Sequence, residues 1–433
     1  PEDEQFWENG GKQVASRNLW ISIPALLLAF SVWVIWSVIV VRMPEVGFQF
    51  DKAQLSWLVA LPALSGATMR IFYSFMVPIF GGRRWTAIST ASLLIPTIWL
   101  GFAIQNPDTT FTTFAIIALL CGLGGANFSS SMSNISFFYP KSKQGTALGL
   151  NAGLGNLGVS VSQFVIPAVI GFSLFGALAG EGQMTESGKV LYLQNAAFVW
   201  VIPIAIMTVL AWFGMNDLSG AKASFKEQSV IFGRQHTWIM CILYLATFGS
   251  FIGFSAAFPM VIKQSFPDVD PLKVAFLGPL VGALFRPVGG WLADKIGGAR
   301  VTFWVYVVMA ISVVAVMFFL KMGNFIGYFV GFMLLFMTSG IGNASTFRMI
   351  PVIFRTMHER YNSPDLVNQA RKESAAVVGF AGGFAAYGGF FIPKMFGSGL
   401  GINGTFIALI VFYVVCIALT WWYYSRKGAE FPS

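Results

Sequence analysis

The sequence predicts an all-α integral membrane protein whose twelve transmembrane helices form two pseudo-symmetric halves of six helices each. Hydrophobic residues make up 56% of the 433-residue chain and charged residues only 10%, whereas soluble domains are about a quarter charged. Its apolar runs reach the length of about 20 residues that a helix needs to cross a bilayer. Sequence patterns also recur about half a chain apart.

Charged residues, glycine and proline bound the apolar runs and so place the spans. The predicted spans lie near residues 19–41, 55–80, 86–105, 110–138, 145–173, 191–214, 237–262, 272–296, 301–320, 325–354, 372–396 and 403–424. A polar stretch with Lys222, Lys226 and Glu227 separates the two sets of six. We therefore predict an N-terminal half at 1–215, a cytoplasmic linker at 216–236 and a C-terminal half at 237–433.

Lysine and arginine are distributed unevenly between the two ends of the predicted spans. Seventeen fall on the side of the termini and the linker, and seven on the other side. The positive-inside rule then predicts that both termini are cytoplasmic. The acidic N-terminus lacks the basic flank of a signal peptide, so we expect the first span to be retained. Because the basic residues are scattered, the net charge of +9 indicates membrane topology rather than nucleic-acid binding.

Two motifs recur in the two halves. The string Gly66-Ala67-Thr68-Met69-Arg70 matches Gly282-Ala283-Leu284-Phe285-Arg286 at an offset of 216, and the glycine-glycine turns that follow keep the same offset. Gly153 and Ile166-Pro167 match Gly379 and Ile392-Pro393 at an offset of 226. These echoes predict two parallel six-helix repeats, the arrangement of major facilitator carriers.

Three arginines, Arg70, Arg286 and Arg348, lie inside apolar runs. A charge at the bilayer centre costs at least about 2.5 to 3.5 kcal/mol. Arg70 and Arg286 are too far from the span ends to reach the headgroups, and no aspartate or glutamate lies in any span centre. We expect the repeat symmetry to bring these two arginines together around an anion. A guanidinium fork suits a planar oxyanion, because two parallel N–H groups meet two oxygens.

Other residues could complete an anion site. Phe128 and Phe248 could hold a flat anion between rings, although packing is the default role among 44 phenylalanines. Asn156 stands in a glycine-rich span and could donate to an anion oxygen. The glycines themselves fit tight helix packing or sliding helices equally well. Cys121, Cys241 and Cys416 have no partner at metal or redox spacing, so we expect small buried side chains.

Three strings resemble signatures of the NarK/NarU-type nitrate/nitrite porters of the major facilitator superfamily, and the resemblance extends from Phe6 to Tyr424. They are Tyr73-Ser74-Phe75-Met76-Val77-Pro78-Ile79-Phe80-Gly81-Gly82-Arg83-Arg84, Gly153-Leu154-Gly155-Asn156-Leu157-Gly158 and Gly388-Gly389-Phe390-Phe391-Ile392-Pro393-Lys394. The resemblance implies a major facilitator fold and a transporter of nitrate and nitrite in the bacterial cytoplasmic membrane.

The resemblance also implies roles for individual residues. Arg70 and Arg286 are then the substrate arginines, Phe128 and Phe248 an aromatic clamp, and Asn156 and Tyr244 polar ligands. Gly153 and Gly382 belong to glycine-rich stretches that look like the family's nitrate-signature motifs. Gly382 stands where the family pattern has serine, which puts a hydroxyl contact from that helix in doubt. Arg348 stands where some relatives have glutamine, and gating or substrate admission competes there with a structural role.

The predicted span centres contain no carboxylate and no histidine, and this bears on the transport mechanism. Proton-coupled carriers usually keep a titratable group in the translocation path, so we expect nitrate/nitrite exchange by a rocker-switch mechanism. Nitrate/proton symport is the main alternative. An anion channel would need a continuous polar pore, and a nitrate sensor would need an output domain. We expect no enzyme activity and no cofactor, and a monomer that contacts membrane lipid and binds no nucleic acid.

Overall fold

A computed structural model describes residues 3–218 and 229–433. Within those ranges twelve helical segments are long and apolar enough to cross a membrane, which confirms the predicted number. Spans one to twelve are Glu4–Val46, Lys52–Phe80, Gly82–Ala103, Phe111–Phe138, Thr146–Val169, Asn195–Gly214, Gln235–Ser265, Pro271–Ile296, Gly298–Lys321, Phe325–Arg360, Lys372–Phe396 and Gly401–Ser425. Lys222, Lys226 and Glu227 of the predicted linker lie outside the described residues.

Several spans are built from more than one helix. The α-helices are Glu4–Phe6, Lys12–Trp33, Trp36–Arg42, Lys52–Phe80, Gly82–Ser92, Leu94–Ala103, Phe111–Phe138, Lys141–Val169, Asn195–Phe198, Val201–Gly214, Gln235–Tyr244, Ser250–Ser265, Leu277–Ile296, Gly298–Lys321, Phe325–Arg360, Leu366–Ala386, Gly388–Phe396 and Gly401–Thr420. The 3₁₀ turns are Met43–Val46, Gly176–Ala179, Ser229–Gly233 and Pro271–Lys273, and the π-helical turns are Trp7–Gly11, Leu245–Gly249 and Trp421–Ser425.

The described strands form one short hairpin between spans five and six. Strand β1 (Gln183–Met184) pairs antiparallel with strand β2 (Val190–Leu191). Side-chain caps begin several spans, because the first N–H groups of a helix have no partner inside it. Asp51 forms a capping box with Gln54, and Asn324 accepts from the backbone N–H of Gly327. These caps fix where spans two and ten begin.

The described residues form two compact units. One contains residues 3–218 together with Ala256–Lys263 and Asp270–Phe276. The other contains residues 229–255, Gln264–Val269 and Leu277–Ser433. The two short stretches therefore follow span six in sequence but pack in the unit that contains spans one to six.

The same glycine turn joins the second and third spans of each repeat. Gly81 has φ 88° and ψ 150°, and Gly297 has φ 94° and ψ 139°. Residues with a Cβ rarely adopt this conformation. In each half the next glycine meets the fourth span of its repeat: a Cβ on Gly82 would overlap Asn134, and one on Gly298 would press on Met349. The offset of 216 thus marks a real structural equivalence.

Spans ten and seven differ from the sequence-based prediction, span ten at its end and span seven in its interior. Span ten continues to Arg360, six residues beyond the predicted end at 354. The apolar pattern stops at Arg355, but Arg355 pairs with Glu359 one turn later at 3.0 Å, which supports a helix outside the apolar run. Span seven is interrupted by the π-helical turn Leu245–Gly249, which apolar periodicity does not reveal. Cys121, Cys241 and Cys416 are free and buried, as expected.

We predict that Gly81→Ala destabilises the protein by about 1 to 3 kcal/mol, because the strained φ and the overlap with Asp217 act together. Thermal unfolding in detergent measures the effect. Gly149→Ala is the matched control, since Gly149 is helical and the added Cβ meets no described atom within 4 Å apart from its chain neighbours and the backbone of its own helix turn. Equal melting temperatures for the two variants would contradict the prediction.

Candidate functional site

Arg70 is buried in the first unit, with 2% of its surface exposed. Its Nε donates a hydrogen bond of 3.0 Å to the carbonyl oxygen of Gly125 in span four. The guanidinium carbon lies 4.7 Å from the ring centroid of Phe128 and 5.4 Å from that of Trp33. The electron-rich faces of aromatic rings attract a cation at these distances. Arg70 is therefore held by a backbone dipole and two rings.

Trp33 shapes this environment and is not among the residues predicted from sequence. Its indole N–H donates to the carbonyl oxygen of Pro62 at 2.9 Å, which fixes the ring against span two. Glycine is required beside it: a Cβ on Gly125 would overlap the indole, and one on Gly66 would lie 2.9 Å from its Nε1. Small residues in spans two and four thus let the ring lie within reach of Arg70.

Arg286 has a related environment in the second unit. Its Nη2 donates to the hydroxyl of Tyr244 at 3.4 Å, and its guanidinium carbon lies 5.7 Å from the ring centroid of Phe347. Its Nη1 is a buried atom for which the described residues provide no hydrogen-bond partner. A buried, unsatisfied N–H on a cation is costly. This atom is available to bind an anion.

A stack of aromatic rings supports Tyr244. The ring centroid of Phe347 lies 4.2 Å from that of Tyr244. The ring centroid of Phe248 lies 5.4 Å from that of Tyr244, and the planes of these two rings differ by only 8°. Phe248 lies inside the π-helical turn Leu245–Gly249, which begins directly after Tyr244. Such turns insert an extra residue and are frequent at functional sites. In the described residues, Phe248 supports Tyr244, and Phe347 is the ring over Arg286.

Asparagines provide further buried polar atoms. Asn156 is buried in the helix Lys141–Val169, and its Oδ1 has no hydrogen-bond partner among the described residues. Asn127 and Asn343, related by the same offset of 216, share both properties. An amide rotated by 180° presents N–H groups where its oxygen stood. Each of these side chains can therefore offer donors to an anion.

The glycine-rich helices contain two kinds of glycine. Some are packing glycines: a Cβ on Gly158 would overlap the backbone of Leu27, and one on Gly388 would overlap Gly249. By contrast, apart from its chain neighbours and the backbone of its own helix turn, no described atom lies within 4 Å of a Cβ built on Gly153 or on its repeat partner Gly379. Packing therefore does not explain Gly153. Gly382 is buried in the helix Leu366–Ala386. By the offset of 226 it occupies the position that Asn156 holds in the first repeat.

Arg348 differs from the other two arginines. Its Nε donates to Asp294 Oδ1 at 2.6 Å, and both side chains are about half exposed or more. This contact joins span ten to the end of span eight, which precedes the glycine turn at Gly297. Arg348 is thus neutralised by a carboxylate within its own unit.

The structure brings some predicted residues together and adds others. Phe128 lies over Arg70, and Tyr244 and Phe248 lie together beside Arg286. Trp33 and Phe347 were missed, because nothing distinguishes one ring among 44 Phe and 14 Trp in a sequence. Asn127 and Asn343 could have been found, since they obey the offset that identified the arginines.

Comparison with known proteins agrees with this architecture. A family model described as the Major Facilitator Superfamily matches residues 21–363. Two solved structures of 15% sequence identity share the fold: a D-xylose-proton symporter with a TM-score of 0.70, matched over 93% of this chain and 96% of that one, and a bacterial homolog of the human lysosomal transporter Spinster with a TM-score of 0.68, matched over 94% and 96%.

Curated relatives match almost the whole chain. The nitrate/nitrite transporter NarU of Escherichia coli (strain K12) is 51% identical, and the match covers 99% of this chain and 95% of that protein. NarU of Salmonella typhimurium is 50% identical with the same coverage. A probable nitrate/nitrite antiporter of Thermus thermophilus is 42% identical over 100% of this chain and 97% of that one.

Twelve spans, repeated arginine motifs and buried polar groups define a multi-pass membrane carrier of the major facilitator superfamily. Within that superfamily, the chain belongs to the NarK/NarU-type nitrate/nitrite porters. The resemblance seen in the sequence strings is thereby confirmed.

We predict that Gly125→Ala lowers stability by about 1 to 3 kcal/mol, because the new methyl group overpacks against Trp33. Gly153→Ala is the control and should retain the parent melting temperature, since its Cβ meets no described atom within 4 Å apart from its chain neighbours and the backbone of its own helix turn. Thermal unfolding of both purified variants measures this difference. If Gly153→Ala melts as early as Gly125→Ala, the distinction between packing and open glycines is wrong.

Proposed function

We propose that this protein exchanges nitrate and nitrite across the bacterial cytoplasmic membrane by alternating access, with both termini in the cytoplasm. Exchange is also what the name of the Thermus thermophilus relative describes. The observation that carries the proposal is the buried Nη1 of Arg286, which lacks a hydrogen-bond partner among the described residues. A planar oxyanion would accept hydrogen bonds from this fork.

Both substrate arginines, Arg70 and Arg286, belong to the proposed site. Arg70 is oriented through its Nε, and a ring lies over each guanidinium. Asn156 and the hydroxyl of Tyr244 are the proposed polar ligands, and Phe128 and Phe248 border the anion through their rings. Gly153 leaves room where a side chain would stand. In this proposal the protein acts as a monomer and has no enzyme activity.

The positions of the titratable groups favour exchange over proton coupling. Among the described residues, His236 lies at the beginning of span seven and His358 near the end of span ten. Glu373 lies at the beginning of span eleven, where Arg234 binds it through two hydrogen bonds of 3.0 Å. These groups are held at span ends rather than beside the arginines. A bound anion is then the species that compensates the arginine charges during reorientation.

We predict that Arg70→Lys and Arg286→Lys each reduce transport by at least roughly tenfold, because lysine keeps the charge but loses the planar fork. The measurement is labelled nitrate uptake into proteoliposomes loaded with nitrite. Arg355→Lys is the control, because this side chain is 71% exposed and pairs with the nearby Glu359 on its own helix. Wild-type uptake in both site variants would refute the role of the fork.

We predict that nitrite-driven nitrate counterflow stays constant between about pH 6 and pH 8, the range in which an accessible histidine would titrate. No proton is carried in the proposed cycle. Vesicles without internal nitrite serve as the control and should take up little nitrate. Robust uptake into such vesicles under an imposed proton gradient would instead establish nitrate/proton symport.

A further inference from the structure

Arg42 binds two carboxylates at the end of span one, away from the N-terminus. Its Nη1 donates to Glu45 Oε1 at 2.9 Å, and its Nη2 donates to Asp270 Oδ2 at 2.8 Å. The Arg42 side chain is only 17% exposed, and the two carboxylates are about 30% exposed. Water and salt screen such a partly buried ion pair less than they screen an ion pair at the open surface.

The two partners of Arg42 differ in their place along the chain. Glu45 lies three residues further on, in the 3₁₀ turn Met43–Val46 that ends span one. Asp270 lies 228 residues away, directly before the 3₁₀ turn Pro271–Lys273 and span eight. The Arg42–Glu45 contact is therefore local. The Arg42–Asp270 contact attaches a segment from the second half of the sequence to span one.

Three further contacts hold this segment, Asp270–Phe276, in the unit of spans one to six. Ser160 of span five donates from its hydroxyl to the carbonyl oxygen of Phe276 at 2.9 Å, and the Phe164 and Phe276 rings meet edge to face at 5.1 Å. Leu272 is buried in the apolar core of that unit. The segment thus has an apolar anchor, a hydrogen bond and one ion pair.

We propose that the Arg42–Asp270 ion pair is a releasable latch that closes the substrate path at the side opposite to the termini. The proposal rests on the alternating-access function proposed above. Span eight carries Arg286, and the latched segment runs from the residue before span eight to the start of its long α-helix, Leu277–Ile296. If the two halves of the sequence rock against each other, the segment must leave spans one and five each time that side opens. Breaking the ion pair should then favour the open state.

The two oxygens of Asp270 have different partners, so one substitution can remove the ion pair and keep the cap of the 3₁₀ turn. Oδ2 accepts from Arg42, whereas Oδ1 accepts from the backbone N–H of Leu272 and caps the 3₁₀ turn. Asp270→Asn retains an oxygen for the cap but removes the charge. Glu45→Gln is the matched control, because it removes the other carboxylate of Arg42 and leaves the contact with Asp270 in place.

Opening can be followed with a cysteine introduced at Ala275, which is 1% exposed within the latched segment. The reference is the full chain carrying Ala275→Cys in proteoliposomes, labelled with a membrane-impermeant maleimide. The three native cysteines are buried, so the parent chain reports the background. Thermal unfolding verifies that each variant is folded, and Arg42→Gln serves as an independent way to break the pair.

We expect Asp270→Asn and Arg42→Gln each to raise the labelling rate of the introduced cysteine roughly fivefold, and Glu45→Gln to change it by less than about twofold. The double variant Arg42→Gln, Asp270→Asn should label as fast as either single variant, because both remove the same contact. Unchanged labelling in Asp270→Asn, or effects that multiply in the double variant, would overturn the latch.

The labelling requires no transported anion, so it separates this proposal from the proposed function. If the parent protein shows counterflow but Asp270→Asn labels at the reference rate, the latch is wrong and the exchange function stands. If labelling rises as expected but the parent protein shows no nitrate counterflow, the latch stands as a structural contact and the exchange function is wrong.

Discussion

A guanidinium group stays charged at any physiological pH, so helices that bury one inside a membrane must surround it with electron-rich groups. Arg70 meets this demand with a backbone carbonyl and two aromatic faces, and Arg286 meets it with a phenolic oxygen and one aromatic face. These partners carry dipoles or quadrupoles rather than full charges. They stabilise the cation and leave its attraction for an anion largely intact.

Much of the surrounding backbone follows from this requirement. Gly125 lets Trp33 approach span four and offers its own carbonyl to Arg70, so one small residue serves two purposes. In the second unit the π-helical turn after Tyr244 places Phe248 parallel to the tyrosine ring. The two repeats therefore reach the same outcome by different local means, a close-packed glycine in one and an inserted residue in the other.

The features predictable from sequence were those that depend on composition or on repetition. Twelve spans follow from apolar runs, and Arg70 and Arg286 stand out because a charge in such a run is rare and a shared offset is rarer. Trp33 and Phe347 could not be recognised, because their importance lies in which cation each ring faces. The same holds for Gly153 and Gly158, which look alike in sequence but differ in what a Cβ would meet. Arg42 and Asp270 are separated by 228 residues, and neither lies in a repeated motif.

The placement of acidic and imidazole side chains at span ends has a consequence for energetics. Nitrate and nitrite each carry one negative charge, so one-for-one exchange without a proton moves no net charge across the bilayer. The membrane potential, worth about 2.3 kcal/mol per charge per 100 mV, then neither drives nor opposes the cycle. Such a carrier would run at the same free-energy cost in an energised and a de-energised cell, and only the two anion concentration ratios would set its direction.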